Sequence, residues 1–464
     1  MTKEPHSQVD MLIDGGIVVS MDAQRRIFSP GYVAIRDGKI VEVGAGNGRR
    51  FTANERIDAT GMAVLPGLVN PHDHLDQSVQ RTCNNEQQDS RNRMLSFARG
   101  LTRERARAAA NLSLLELVKH GVTTTQENHW MHYHPDSTDG ICEAVQDSGM
   151  RAYISRGMND ESAYTPPEFL ERAEDVLADL DRLEQAYDSE HITITSEPTT
   201  ILRCKPDTIL AMRDWALQRS KLWHIHLAQG QSELEDALRT VGMGSVQYAE
   251  KLGVLGPEML AIHCSGLLEG EVSLLGAYGV HIAHCPMPII RAGGKVPPIW
   301  ELEQGGAQVA IGTDGSGTNN GQNPWECLKV AVYMQRVRYG DRYLGTAEQA
   351  LEMATIKAAR ALAMDQRVGS LESGKEADLA LFRLDQVHLA PDAMLIHNLV
   401  YSGGNNMADT VLVGGRVILR DGRSTVFDEA EVIARVREAQ RAMYKESGWQ
   451  GPLPLTTSWP VIAA

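Results

Sequence analysis

The sequence contains few cysteines, and none of them are closely paired. Six cysteines are spread over 464 residues, with no CxxC pair among them. This spacing excludes the patterns typical of a disulfide-stabilised secreted domain and of a zinc ribbon. We therefore expect the chain to fold in a reducing compartment, and we predict a cytoplasmic location.

Long apolar runs and an excess of positive charge are also missing. No apolar run approaches the ~20 residues that a membrane span requires, and the first ten residues, MTKEPHSQVD, are polar rather than signal-like. The net charge is −15, whereas surfaces that bind nucleic acids are basic. We expect neither a membrane nor a nucleic acid as a partner, and we predict a small-molecule substrate.

What the middle of the chain does contain is an alternation of short apolar segments with amphipathic helices, such as PEFLERAEDVLADLDRLEQAY. This alternation is typical of parallel βαβ units. The apolar segments predicted to be strands are VLPGLVN, GVTTTQE, RAYIS, ITITSE, LWHIHLA, MLAIHC, VHIAHC and QVAIGTD. Eight strands in sequence favour an α/β fold of the (β/α)₈ TIM-like barrel type over an open sheet.

Both ends of the chain have the alternating pattern of short β-strands. MLIDGGIVVSMD and GYVAIRDGKIVEVG lie near the start, and EADLALFRLD and MADTVLVGGRVILRDGR follow the barrel region. We predict a small composite β-sandwich from residues 1–62 and 367–425, and a metal-binding barrel from 63–366. Residues 426–464 are predicted to form a helix and a tail, WQGPLPLTTSWPVIAA, that docks on the body or on a neighbouring subunit.

Polar side chains cluster at the carboxyl ends of the predicted strands, where barrel enzymes place their active sites. His72 and His74 end the first strand, and their i, i+2 spacing points both side chains to the same face. Three later strands end in histidine and the last ends in aspartate: His226, His263, His284 and Asp314. Imidazoles combined with a carboxylate suit Zn²⁺, Fe²⁺ or Co²⁺.

The order of these residues resembles that of the amidohydrolase superfamily, as do the phrases LPGLVNPHDHL, HGVTTT, HIHLAQ, AHCP and GSLESGKEADLALF. The resemblance implies a barrel with a split β-sandwich, a homo-oligomer, and one divalent transition metal ion (Zn, Co or Fe). It implies metal ligands at His72, His74, His226 and Asp314. It also implies that His263 polarises or protonates the substrate, while Asp314 carries the proton of the attacking water.

The residues at the end of the fourth strand indicate whether the site holds one metal ion or two, if the resemblance holds. Binuclear members of the superfamily bridge two metals with a modified lysine at the end of this strand. Here the strand and the residues after it read ITITSEPTT, and Lys205 lies well beyond it. A mononuclear site is therefore predicted, with Glu197 as the alternative bridging group.

One departure from the superfamily concerns the type of reaction. Members that deaminate aminated heterocycles carry a glutamate three residues after the strand-five histidine, and this chain has Gln229 there. Glutamine cannot deliver a proton to a ring nitrogen. We therefore predict hydrolysis of an amide-like C–N or C–S bond in a urea, carbamate or thiocarbamate, as in bacterial hydrolases of herbicides. The alternative is a deaminase or dechlorinase of a triazine, purine, pyrimidine or pterin ring.

Candidate substrate contacts lie around the predicted mouth of the barrel. We predict that His129, Trp130, Gln229 and His284 contact the substrate. Trp130 and Met131 follow strand two, and Met287-Pro288 follows strand seven, which indicates a rather apolar pocket. His132 and His134 are interpreted as belonging to a polar loop.

Overall fold

The computed structural model describes residues 7–81 and 90–448. The chain begins with the strands β1 (Ser7–Val19), β2 (Ile27–Arg36), β3 (Lys39–Ala45), β4 (Phe51–Asp58) and β5 (Met62–Pro66). Eight more strands follow: β6 (Leu68–Asp73), β7 (Val122–His129), β8 (Arg151–Met158), β9 (Ile192–Pro198), β10 (Trp223–Leu227), β11 (Met259–His263), β12 (His281–His284) and β13 (Gln308–Ile311). The last four are β14 (Leu379–Arg383), β15 (Thr410–Val413), β16 (Arg416–Arg420) and β17 (Arg423–Ser424).

Helices separate the central strands and follow the last strand. They are α1 (Ser90–Arg99), α2 (Arg103–Lys119), α3 (Ser137–Ser148), α4 (Ala173–Tyr187), α5 (Pro206–Leu217), α6 (Gln231–Thr240), α7 (Ser245–Leu252), α8 (Glu271–Ala277), α9 (Pro286–Arg291), α10 (Ile299–Gln304), α11 (Ser316–Asn319), α12 (Pro324–Tyr339), α13 (Ala347–Met353), α14 (Ile356–Ala361), α15 (Leu395–Tyr401) and α16 (Glu429–Glu446). Short 3₁₀ helices cover Leu75–Gln80, Pro167–Phe169, Val387–Leu389 and Gly403–Asn405. None of the helices in the described ranges is long and apolar enough to cross a bilayer.

The strands from the two ends of the chain form one nine-stranded sheet. Its order is β17-β16-β15-β14-β5-β1-β2-β3, and β4 pairs with β1. The junction between the two ends is the antiparallel pair of β5 and β14, in which Pro66 lies opposite Leu379. Apolar side chains from both ends share one hydrophobic cluster, which includes Ile13, Val33 and Leu412. The predicted β-sandwich built from both termini is therefore confirmed.

The eight central strands form the wall of the barrel. Strands β6 to β9 make one parallel sheet and β10 to β13 make another. The backbone N–H of His226 donates to the Thr199 carbonyl at 3.2 Å, and the N–H of Asp314 donates to the His72 carbonyl at 3.1 Å. These two bonds join the sheets at both seams, so all eight predicted strands are confirmed as a closed barrel.

The surrounding helices pack because their apolar residues recur at helical spacing. In α4, Val176, Leu180 and Leu183 are buried, whereas the acidic residues of its first turn are exposed. The C-terminal helix α16 packs beside α1 and α2, where the Tyr444 ring lies 5.0 Å from that of Phe97. The predicted docking of the tail after this helix concerns residues 449–464, which lie outside the described residues. Cys83 also lies outside them, and the five described cysteines are free thiols.

A buried ion pair joins the barrel to the β-sheet formed by the chain ends. Arg151 Nε on β8 donates to Asp378 Oδ2 at 2.9 Å, and both side chains are at most 3% exposed. Asp378→Ala should lower the free energy of unfolding by about 3 kcal/mol, because the guanidinium then stays buried without its main counter-charge. Denaturant titration followed by circular dichroism measures this difference.

A matched control for this prediction is an exposed aspartate that also pairs with an arginine. Asp385 bonds to Arg383 at the surface, and Asp385→Ala should leave the unfolding midpoint unchanged. Equal midpoints for the Asp378 variant and the parent protein would show that the buried pair does not stabilise the junction.

Candidate metal centre and substrate cleft

Five predicted residues meet at the carboxyl end of the barrel. His72 lies on β6 and His74 directly after it, His226 and His263 lie on β10 and β11, and Asp314 lies in the turn after β13. The Asp314 carboxylate lies 3.9 Å from His72 Nε2, 3.6 Å from His74 Nε2 and 3.9 Å from His263 Nε2. The His226 ring lies 5.0 Å from that of His72. The structure therefore brings together residues from the ends of four strands, which belong to both four-stranded sheets of the barrel.

The hydrogen bonds of the imidazoles determine which nitrogen of each ring faces the centre. The Nδ1 atoms of His72, His74 and His226 lie 3.2, 2.5 and 3.1 Å from the oxygens of Gln126, Asn128 and Thr199. These amide and carbonyl oxygens accept hydrogen bonds only, so each Nδ1 carries the proton and each Nε2 keeps its lone pair. His72 Nε2 is buried and has no hydrogen-bond partner among the described residues. This donor set fits a divalent metal ion.

Burial keeps these imidazoles neutral. It lowers the pKa of His72 and of His226 well below the ordinary value, and the neighbouring histidines lower both further. Burial also lowers the pKa of His263, against the opposing effect of Asp314. Neutral rings are the form that metal coordination requires.

A chain of hydrogen bonds inside the barrel fixes the orientation of His72. Gln126 on β7 accepts from His72 through Oε1 and donates from Nε2 to Ser155 Oγ at 2.9 Å. Ser155 Oγ in turn lies 2.6 Å from His224 Nδ1. Sequence analysis did not select Gln126, although a glutamine within a buried strand was a signal of such a role.

Gln126→Leu should weaken metal binding by about 10–100-fold, because the Nδ1–H of His72 loses the acceptor that orients the ring. Competition with a chromophoric chelator measures the dissociation constant. Gln335→Leu is the control. It removes another buried glutamine, whose Nε2 donates to the Pro297 carbonyl and which takes no part in the hydrogen bonds around His72. An equal loss of metal affinity in both variants would contradict an orienting role.

A cleft of about 540 Å³ opens onto this cluster. Gln229, His263 and Asp314 line both its outer part and the recess behind it. The recess is also lined by Gln77, Met94, Trp130, Thr199, Thr200 and Arg203. The indole ring of Trp130 lines the recess. The central carbon of the Arg203 guanidinium lies 5.0 Å from the centroid of this ring. The cleft is large enough for a small heterocyclic molecule.

The four residues predicted to contact substrate separate into two pairs. Gln229 and Trp130 line the cleft. His129 is buried, with Nε2 bonded to Ser137 Oγ at 2.8 Å, and it does not line either part of the cleft. His284 lines a separate small cavity, and burial lowers its pKa to about 3.

Of the apolar residues predicted around the pocket, Trp130 and Pro288 line the cleft, whereas the two methionines do not. Met131 packs in a small hydrophobic cluster with Phe169, and Met287 packs against the main core. Gln77 and Arg203, which sequence analysis did not select, instead line the recess. Gln77 lies three residues after His74, and Arg203 lies in the loop after β9. Polar residues are common in such loops, so the sequence contained no specific signal for Arg203.

The segment that carries Gln229 is held by a half-buried carboxylate. Glu233 accepts from the backbone N–H groups of Ala228 and Gln229 at 2.9 and 3.1 Å, and from Ser245 Oγ at 2.7 Å. Ser265 Oγ also donates to the Gln229 carbonyl. Glu233 therefore fixes the backbone of this turn and does not itself line the cleft.

Glu197, the alternative bridging group, lies behind His226 on β9. Its Oε1 is 3.1 Å from His226 Nδ1, and burial raises its pKa well above the usual range. It belongs to none of the compact groups of ligand atoms in the described residues. Its position fits an outer partner of His226 better than a bridge between two ions.

Comparison with known proteins agrees with this geometry. Residues 63–418 match the model of the amidohydrolase family. The chain is 32% identical to the 5-methylthioadenosine/S-adenosylhomocysteine deaminase of Moorella thermoacetica over 418 residues, which cover 88% of this chain and 94% of the relative. It is also 32% identical to the 8-oxoguanine deaminase of Pseudomonas aeruginosa over 428 residues, covering 89% and 95%.

Solved structures resemble the whole architecture. The zinc complex of atrazine chlorohydrolase from Arthrobacter aurescens superposes with a TM-score of 0.88 at 26% identity, covering 93% of this chain and 100% of that one. The match to the family model spans most of the chain, and the predicted superfamily is confirmed. The chain belongs to the amidohydrolase family and is a metal-dependent amidohydrolase that acts on non-peptide bonds.

Proposed function

We propose that this amidohydrolase removes an amino group from an aromatic nitrogen heterocycle of the purine class and replaces it with hydroxyl. The observation that carries the proposal is the recess that Trp130, Gln229 and Asp314 line together. A planar ring can pack on Trp130 while the carbon that carries the leaving group faces the Asp314 carboxylate. Similarity over almost the whole chain to enzymes named as deaminases of adenosine derivatives and of 8-oxoguanine supports this choice.

His72, His74, His226 and Asp314 would hold one divalent ion, for which zinc, cobalt and iron are the candidates. The zinc-bound structures among the similar proteins support this proposal. When bound, such an ion lowers the pKa of a coordinated water towards neutrality. The lone pairs on the three Nε2 atoms and the buried carboxylate are what this chain supplies for that purpose.

The residues around the ion would move the proton and stabilise charge. Asp314 would accept the proton of the attacking water and pass it to the departing amine. His263 Nε2 lies 3.9 Å from Asp314 Oδ2, a spacing that lets both side chains contact one reacting carbon centre. His263 would stabilise the negative charge that develops during attack.

A second candidate function follows from Gln229. Its amide donates and accepts hydrogen bonds but carries no proton that it can release at neutral pH. This favours a substrate whose leaving group departs without ring protonation, such as a urea, carbamate or thiocarbamate, or a halogenated ring. Deamination is nevertheless the first candidate, because the relatives that match almost the whole chain are named as deaminases.

A leaving-group screen of metal-replete protein separates the two candidates. Aminopurines and their nucleosides, aminotriazines, chlorotriazines, phenylureas and thiocarbamates are assayed for released ammonia, chloride, amine and thiol. Release of ammonia from an aminated ring supports the first candidate. Release of chloride, amine or thiol without ammonia supports the second, and inactivity on every class would contradict both. A homo-oligomeric state and a cytoplasmic location stay predictions from the sequence.

A further inference from the structure

A second group of ligand-type side chains lies close to the first but outside the barrel wall. Asp76, Glu127 and His129 each offer one atom, and these atoms lie within 4.8 Å of one another. The three residues are 6%, 0% and 1% exposed. Gln126 points into the barrel, where it contacts His72 and Ser155, so the alternation along β7 directs Glu127 and His129 to the opposite face.

The hydrogen bonds of Ser137 determine which ring nitrogen of His129 carries the proton. Ser137 Oγ donates its single proton to the His134 carbonyl at 2.8 Å. In its contact with His129 Nε2, also 2.8 Å, the hydroxyl must therefore accept. His129 Nε2 carries the proton, so Nδ1 presents a lone pair, and it does so 3.9 Å from Asp76 Oδ1.

Only one of the two carboxylate oxygens of Glu127 accepts a hydrogen bond from the described residues. Its Oε2 accepts from the backbone N–H of Leu75, whereas Oε1 is buried without a hydrogen-bond partner in the described part of the chain. Among the same residues, no lysine or arginine nitrogen lies within 4.0 Å of either Glu127 or Asp76. Two buried carboxyl groups and a nitrogen lone pair thus face one another, an arrangement that either protonation of the carboxyls or a cation between them would relieve.

We propose that Asp76, Glu127 and His129 bind a second divalent metal ion. One imidazole nitrogen and two carboxylate oxygens suit Zn²⁺, Mn²⁺, Fe²⁺ or Co²⁺, and the two carboxylates balance the charge of the ion. The site is closed by its burial, so its role is structural. It fixes the end of β7, where the Asn128 carbonyl accepts the Nδ1–H of His74.

Counting the ions per chain tests this proposal. Apoprotein is loaded with Zn²⁺ or, separately, Mn²⁺, freed of excess metal by gel filtration, and measured by elemental analysis. We expect two ions per chain in the parent protein and one in Glu127→Gln, which keeps the shape of the side chain but removes its charge. Glu271→Gln is the matched control, because Glu271 is an equally buried carboxylate that accepts from the backbone N–H groups of Val246 and Gln247, and we expect it to keep two.

Three results would overturn the second site: one ion in the parent protein, two ions in Glu127→Gln, or loss of an ion in Glu271→Gln as well. If Glu127→Gln does not fold, Asp76→Asn is measured in the same way. Anomalous diffraction from zinc-loaded crystals of the parent protein provides a measurement without any variant. A second peak between Asp76, Glu127 and His129 supports the proposal, and its absence contradicts it. The count is independent of the substrate, so a failed activity screen leaves this result unaffected.

Discussion

Asp314→Asn should lower kcat/KM by about 10⁴-fold, the upper end of the effect of one acid–base group. The reason is that the same carboxylate contacts three imidazoles of the cluster and faces the cleft. Asparagine keeps the size of the side chain but cannot accept a proton from water or pass it to a leaving amine. The loss should appear mainly in kcat, because Trp130 and Gln229 still line the cleft.

The measurement uses the best substrate from the leaving-group screen, with the metal content of each preparation determined beforehand. Asp392→Asn makes the same chemical change at an exposed loop position and should leave kcat/KM unchanged. If Asp314→Asn turned over at the parent rate with its metal content intact, Asp314 could not be the group that moves the proton.

Gln229→Glu should raise kcat/KM for deamination of an aminated ring by about 10³-fold, within the range of general acid catalysis. The new carboxylic acid would occupy a position that already lines the recess beside His263 and Asp314. The backbone of this turn is held by Glu233 and Ser265, so the substitution changes the chemistry of the side chain and not its place.

The informative quantity is a ratio of two rates in the same variant. Deamination should rise relative to hydrolysis of a substrate whose leaving group departs without ring protonation. Gln8→Glu, an exposed glutamine on β1, introduces the same charge far from the cleft and should leave the ratio unchanged. A ratio that stays constant in Gln229→Glu as well would mean that no ring nitrogen is protonated from this position.

Much of the architecture was predictable because it depends on local periodicity. Eight apolar segments with polar ends are sufficient to predict the barrel, and the i, i+2 spacing of His72 and His74 is sufficient to place both on one face. His226, His263 and Asp314 follow because parallel strands in a barrel end at the same rim. Each of these predictions needs only the order of strands, not their exact register.

The predictions for His129 and His284 depended on more than the order of strands. Both end barrel strands, as the cluster histidines do, but a shift of one residue reverses the direction of a side chain. His129 consequently lies on the outer face of β7, and His284 lines a different cavity. Arg203 reaches the recess from a loop after β9, and no periodicity determines the path of such a loop.

A metal ion bound by the proposed ligands would couple the stability of the fold to metal binding, because the ligands lie on both sides of the barrel seams. His72 and His74 lie on and directly after a strand of one four-stranded sheet, whereas His226 and Asp314 lie on and just after strands of the other. A ligand held by all four would therefore span both halves, and its binding energy would be part of the free energy of folding. At a free ion concentration of about 100 times Kd, this linkage is worth about 2.7 kcal/mol. Chelation should then lower the denaturant concentration at which the barrel unfolds, in addition to abolishing turnover.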